Sequence, residues 1–292
     1  MAVTTDTDVL IHFNSDADFR TWGLECAALF VAAGLIKTTD TGQIDWVTVL
    51  RPAGSAYAGY EIYRLNDAAQ ATSPFFMKVE YGCGSTNVRP AWRIQCSTAT
   101  NGAGVLTGVT TTQTAVASTD ATTVVGQTRP GYAVSGSGYA VVWIGYQSGT
   151  GVGVTGVVVE RFRDSAGAST TEGVMITYTA SAATLLYVEH MIHYPTGTSR
   201  ASRSQISALA TPSTTGVEGA DVGVYPQTPI IGKVKYPNIA VLTYIWVDIP
   251  IGSTFPVTRY GVSRTYRAMQ SGSGGGTVAY GATGSGLALI WD

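Results

Sequence analysis

Charge is what this sequence has least of. Asp, Glu, Lys and Arg make up 12% of its 292 residues, against roughly a quarter in an ordinary soluble domain. Ionised groups of both signs keep a surface dissolved and apart from its neighbours. The shortage therefore argues against a freely dissolved monomer and for a surface partly covered by other molecules. Lysine is the rarest of the four, with only Lys37, Lys78, Lys233 and Lys235. Net charge is −2 from 17 basic and 19 acidic residues, with no block of either sign. That balance argues against a sequence-independent DNA binder, which needs clustered Lys and Arg to displace counterions.

Cysteine is scarce too. Cys26, Cys83 and Cys96 are an odd set without metal-ligand spacing, and no Asn-x-Ser/Thr sequon accompanies them. Such usage fits folding in a reducing cytoplasm. Cys26 falls on a helix face and reads as core. Cys83 and Cys96 flank a hairpin, where they either meet as a bridge or remain thiols. The longest apolar runs, 26–33 and 239–247, are too short to cross a bilayer as helices. The first residues carry neither the basic region nor the apolar core of a signal peptide. The expectation is a chain that is neither exported nor membrane-spanning. What is present is 45% hydrophobic residues, 35 Gly, 16 Tyr and 6 Trp, enough for a sizeable core built of strands and tight turns.

One segment is helical by pattern. Ser15 and Asp18 form a capping box. Phe19, Trp22, Cys26, Leu29, Phe30 and Ala33 then recur at i, i+3, i+4 spacing, and Gly34 follows as a residue free to take positive φ. After it the chain reads as strand and turn, beginning at 43–50 and continuing at 60–65, 75–81 and 92–96, with room for one helical turn in 66–73. A second series covers 139–146, 157–163, 173–179, 185–194, 239–249, 257–269 and 287–291. The Thr-, Val- and Ala-rich stretch 107–129 is either a strand on a partner or a linker. Residues 196–220 form a long polar loop, and 271–276 is a Gly-rich tract whose role the sequence leaves open. The predicted class is mainly β, with antiparallel β-sandwich-type domains and one N-terminal amphipathic α-helix. The predicted division is a helix-plus-β domain over 1–115, an extended linker or arm over 116–135, and a β-sandwich over 136–292. There is no regular internal repeat.

Candidate chemistry is thin. His190 and His193 stand three apart in a stretch that reads as strand, where an odd separation sends the two rings to opposite faces. A shared metal is not predicted. Gly151-Val-Gly153-Val-Thr-Gly156 spells a dinucleotide fingerprint, yet a strand follows it where the chemistry requires a helix N-terminus. Glu61, Glu80, Glu160, Glu172 and Glu189 fall on strands and are expected to face solvent or to pair with Arg64, Arg93, Arg161 and Arg163 across strands. Tyr57, Tyr60, Tyr132, Tyr139, Trp143 and Tyr146 are the aromatics eligible to stack on a sugar, set against a core or interface role. No catalytic, cofactor or metal residue is assigned, and no cofactor is predicted.

The runs Asp16–Trp22 and Gly34–Trp46, then Gly59–Arg64, Pro74–Gly82 and Asn101–Gly108, together resemble virion structural proteins of tailed bacteriophages, of the tail or minor structural kind. The resemblance covers about a third of the chain. It implies a structural subunit of the tail, baseplate or neck rather than of the head shell. Such a subunit is put together in the host cytoplasm, with copies of itself and other virion proteins as partners and no nucleic acid or membrane among them. The alternative expectation is a receptor-binding or head-decoration protein that takes host surface glycan. A polysaccharide-degrading enzyme comes third, and the chain is not predicted to be an enzyme.

Overall fold

The fold is that of a computed structural model, which describes residues 2–84, 88–108, 114–117, 126–145, 154–163, 168–181, 184–192, 201–205, 222–226, 241–246, 252–259, 262–271 and 284–291. It is mainly β, with antiparallel sheets and one α-helix near the N-terminus. The largest sheet takes its strands in the order β1 (Ala2–Leu10), β9 (Thr128–Gly136), β10 (Tyr139–Ile144), β11 (Val154–Arg163), β12 (Ser169–Ser181), β13 (Thr184–Ile192) and β14 (Ala201–Gln205). A second sheet runs β2 (Ile36–Lys37), β3 (Tyr57–Arg64), β4 (Phe76–Cys83), β5 (Pro90–Ser97) and β8 (Thr114–Ala117). A third runs β15 (Val222–Pro226), β16 (Val241–Trp246), β19 (Gly284–Ile290), β18 (Val262–Ser271) and β17 (Thr254–Arg259). The short pair β6 (Ala99–Thr100) and β7 (Leu106–Thr107) completes the set.

Helix α1 (Asp16–Ala32) forms where the pattern places it. Ser15 Oγ accepts from Asp18 N, Asp18 Oδ2 accepts from Ser15 N, and Gly34 has φ +83° just past the end. Its buried residues are Phe19, Trp22, Gly23, Cys26, Leu29 and Phe30. These fill the wedge between the first two sheets. Trp22 packs edge-on against Tyr81 (5.7 Å between centroids) and stacks on Trp92 (6.4 Å), while Phe30 meets Tyr63 at 5.0 Å. From the other side come Ala133, Ala140, Val142, Ile144, Val157, Val159 and Met175, all in the same buried cluster. Away from the helix, a buried pair ties the sheets, with Arg161 Nε of β11 3.0 Å from Asp67 Oδ2 in the turn before β4.

The first sheet is buried on both faces in its middle, which is why β10 reads Tyr-Ala-Val-Val-Trp-Ile without a polar residue. Tyr132, Val141, Trp143 and Val158 occupy the face away from α1. There Trp291 meets the Tyr132 ring at 5.4 Å, and Arg267 lies over both rings, so the apolar C-terminal strand is docked as its composition suggests. Trp143 also covers its cross-strand partner Gly156, where a Cβ would come within 2.3 Å of the indole.

Several expectations change. Residues 43–50 are a turn, not a strand: Asp45 accepts from Val47 N and from Thr48 Oγ1, and such a local side-chain grip competes with a ladder. The stretch expected as a linker over 116–135 is in part paired strand, since β8 joins β5 and β9 lies between β1 and β10. Thr- and Val-rich composition serves a ladder as well as a linker. The boundary expected at 115 is bridged, because β1 belongs to the sheet of the second series. Residues 257–269 fall in a hairpin of two strands, β17 and β18. The Gly-rich tract lies outside the described residues except for Ser271. Cys83 and Cys96 do not meet: Cys83 pairs with Pro90 and Cys96 with Met77, six residues apart along the ladder, or roughly 20 Å.

One packing detail gives a direct test. The Trp46 ring packs against α1 at Gly23, where an added Cβ would fall 2.0 Å from the indole. Gly23→Ala should therefore destabilise the protein by about 1–3 kcal/mol through overpacking, despite alanine's better helix propensity. Urea unfolding of both proteins measures it, and a stabilised variant would refute this packing.

Candidate functional site

The strongest constellation of polar groups is buried, at the junction of α1 with the second sheet. Alternation along β3 sends Glu61 and Tyr63 to the face that meets the helix, and Tyr81 joins them from β4. Glu61 is 1% exposed and accepts four hydrogen bonds. Oε1 takes Lys37 Nζ at 2.6 Å and Trp46 Nε1 at 3.2 Å. Oε2 takes Tyr63 Oη at 2.5 Å and Tyr81 Oη at 2.6 Å. A carboxylate has about four lone-pair sites, so this one is saturated. Its chemistry is that of a clamp, not of a general base, because no acceptor site is left for a substrate proton.

The clamp has electrostatic consequences. Burial pushes the Tyr63 phenol well above its ordinary range, and the Glu61 charge beside it pushes the same way. For Tyr81 burial again leads, followed by Tyr63 and Glu61. Lys37, with its side chain 40% exposed, brings the balancing charge from the rim.

Around the clamp the 38–51 loop is tied down residue by residue. Trp46 is held by Glu61 and pressed on Gly23. Arg20 donates to Val49 O, Asp16 Oδ1 accepts from Arg51 N, and Arg51 donates to Phe13 O. At the other end of the loop, burial alone would raise the Asp40 carboxyl. Hydrogen bonds from Thr100, Thr38 and Gly104 outweigh it and hold the group below its ordinary value.

The outside of the same helix is the second feature. Ala17, Thr21, Leu24, Ala28 and Val31 are exposed, the last three spaced 24, 28 and 31, with Leu24 53% and Val31 57% exposed. Val47 and Leu50 of the adjoining loop are exposed by 82% and 66%. None of these is charged. The helix's own charges are spent beside the stripe: Asp16 and Arg20 on the loop, Asp18 on the cap, and Glu25 Oε2 on Leu10 N of β1. An uncharged stripe results on an exposed helix.

Compared with known proteins, the chain matches no family model, no curated protein and no solved structure.

The residues singled out by sequence scatter. Glu80 pairs with Arg93 across β4 and β5 as expected, in a bidentate contact of 2.6 and 2.8 Å. Glu61, Glu160 and Glu172 are buried instead of solvent-facing, and Arg161 pairs with Asp67 instead of a strand glutamate. Arg64 donates to the backbone at Leu65. Glu189 and His190 sit on β13, and their side chains, like that of Arg163, lie outside the described residues, as does His193. Of the fingerprint 151–156, residues 154–156 begin strand β11, so no helix N-terminus stands there. Tyr132, Tyr139 and Trp143 are core. Tyr57 and Tyr60 are half-buried, with Arg93 over the first ring at 4.4 Å and Lys78 over the second at 4.1 Å. Tyr146 is outside the described residues. Cys26, Cys83 and Cys96 are buried, and burial raises the Cys83 thiol to about 11. Among the described residues no group of three metal-ligating side chains occurs, and no helix is long and apolar enough to cross a membrane.

Sequence reasoning missed Lys37 and Trp46 as partners of Glu61. The available signal was Glu61 two residues before Tyr63, on one face of a strand.

Two outcomes follow from the clamp. Glu61→Gln replaces two acceptor sites with donors facing phenols, and should cost about 2–4 kcal/mol in urea unfolding; Lys37→Met, which leaves the carboxylate its three other donors, should cost less than Glu61→Gln. Equal losses would contradict the geometry. Because folding moves the ionisation of Tyr63 and Tyr81 to higher pH, their contribution is complete below pH ~10 and is lost as pH rises through their folded values. Ultraviolet titration should show Tyr63 and Tyr81 among the tyrosines that ionise only with alkaline unfolding.

Proposed function

We propose that the chain is a structural subunit of a tailed-bacteriophage virion, in the tail, baseplate or neck, and that it acts by assembly. The observation that carries the reading is the uncharged exposed stripe of α1 beside Val47 and Leu50. Apolar side chains held in a rigid setting, with every nearby charge turned to internal hydrogen bonds, make a surface suited to a protein neighbour. The low charge of the whole chain supports it, and so do the runs that resemble virion structural proteins. The polar cluster at Glu61 is saturated from within, which fits a scaffold better than an enzyme.

The glycan reading has less support. Three of the six eligible aromatics are core, and Tyr57 and Tyr60 each have a ring face covered by a cation.

Deleting the gene from the phage and imaging the particles by electron microscopy tests the proposal. Particles lacking a tail, baseplate or neck component are expected. Complete, infectious particles would overturn it.

A further inference from the structure

We propose that Asn101 is a self-modification site, where the folded chain deamidates its own side chain through attack by the Gly102 backbone nitrogen. Of the asparagines, at 14, 66, 87, 101 and 238, only Asn101 is followed by glycine. It opens the loop 101–105 that joins β6 to β7, and Asn101, Gly102 and Ala103 are all exposed. A Cβ added at Gly102 would meet nothing within 4 Å. Neither a side chain nor a neighbour therefore shields the Gly102 nitrogen.

The loop holds the parts that the reaction needs. The electrophile is Asn101 Cγ. Its Oδ1 accepts from Ala103 N at 2.8 Å and from Val105 N at 3.1 Å. This is an Asx turn, which folds the carboxamide back toward the peptide bond that follows it. Both donors point at the oxygen on which negative charge develops, as in an oxyanion hole. The nucleophile is Gly102 N, whose N–H belongs to no ladder and donates to Thr100 Oγ1 at 3.3 Å. Thr100 spends its own proton on Asp40 Oδ2, so toward Gly102 its hydroxyl can only accept. The leaving group, Asn101 Nδ2, bonds to no described residue.

Water is the only co-reactant. The bond from Gly102 N to Cγ forms, and the Gly102 proton leaves through the Thr100 hydroxyl to water. Nδ2 takes a proton from water, the Cγ–Nδ2 bond breaks, and ammonia departs. A succinimide ring remains, which water opens at either carbonyl to aspartate or isoaspartate. Aspartate keeps the acceptor that Ala103 N and Val105 N bind, whereas isoaspartate lengthens the backbone and loses the turn. Repeated closing and opening accumulates aspartate while the fold holds. Each event adds one negative charge to a chain whose net charge is −2.

Peptide mapping by mass spectrometry tests this on the full chain, incubated at neutral pH either native or in guanidinium chloride. The native chain should convert Asn101 several-fold faster than the unfolded one, ahead of Asn14 and Asn66, and mainly to aspartate. Thr100→Val removes the proton acceptor and should slow the native rate about tenfold, while Thr100→Ser keeps it. A native rate at or below the unfolded rate would overturn the proposal, and that comparison needs no variant to fold. Equal native rates in Thr100→Val and Thr100→Ser would overturn it as well.

Discussion

Helix α1 has to satisfy two sheets at once, and the rest of the architecture follows from how it does so. Phe19, Trp22, Cys26, Leu29 and Phe30 form a face wide enough to meet Tyr63, Tyr81 and Trp92 on one side and the β9–β11 layer on the other. At the edges of that face, Asp16, Arg20 and Glu25 reach across to backbone groups of the loop and of β1. They seal the seams where water would otherwise meet the core. What remains for the outside is alanine, threonine, leucine and valine. The uncharged stripe is thus a consequence of a helix with few charges, all of which it needs elsewhere.

The buried carboxylate completes this arrangement. Taking Glu61 out of water is expensive, and its charge is tolerated because four donors surround it, the Lys37 ammonium among them. Those donors come from different places in the sequence: β2, the 38–51 loop, and strands β3 and β4. An apolar residue of similar volume would fill the space without choosing among loop conformations. The carboxylate chooses one, since only that conformation brings the Trp46 N–H to Oε1 and its ring onto Gly23. In this chain the ionic group buys placement of the loop that carries Val47 and Leu50.

Much of the fold was legible because local signals agreed with the tertiary structure. Ser15, Asp18 and Gly34 marked both ends of α1, and alternation at Phe75, Met77, Val79 and Tyr81 matched the buried face of β4. The uniformly apolar 139–144 was recognisable as strand, though not as one covered on both faces. Long-range pairing was not legible. Nothing local says that Ala2–Leu10 crosses to Thr128–Gly136, because a ladder between distant segments depends on shared burial and not on either segment alone. The misplaced strand at 43–50 has the same origin: its apolar residues suit a strand, while the Asp45 turn and the grip of Glu61 on Trp46 favour another course. Glutamates on strands looked like surface residues by base composition, and Glu61 became a core residue only through partners that sequence spacing did not connect.

The architecture depends on α1 being shared by two sheets, and native-state hydrogen exchange measures that directly. If the helix is common property, amides from Trp22 to Phe30 open only with β4 and β10, at one free energy and with one dependence on denaturant. Exchange of those helix amides at low denaturant, while both strands stay protected, would mean that α1 is an attachment to the sandwich and would contradict the account.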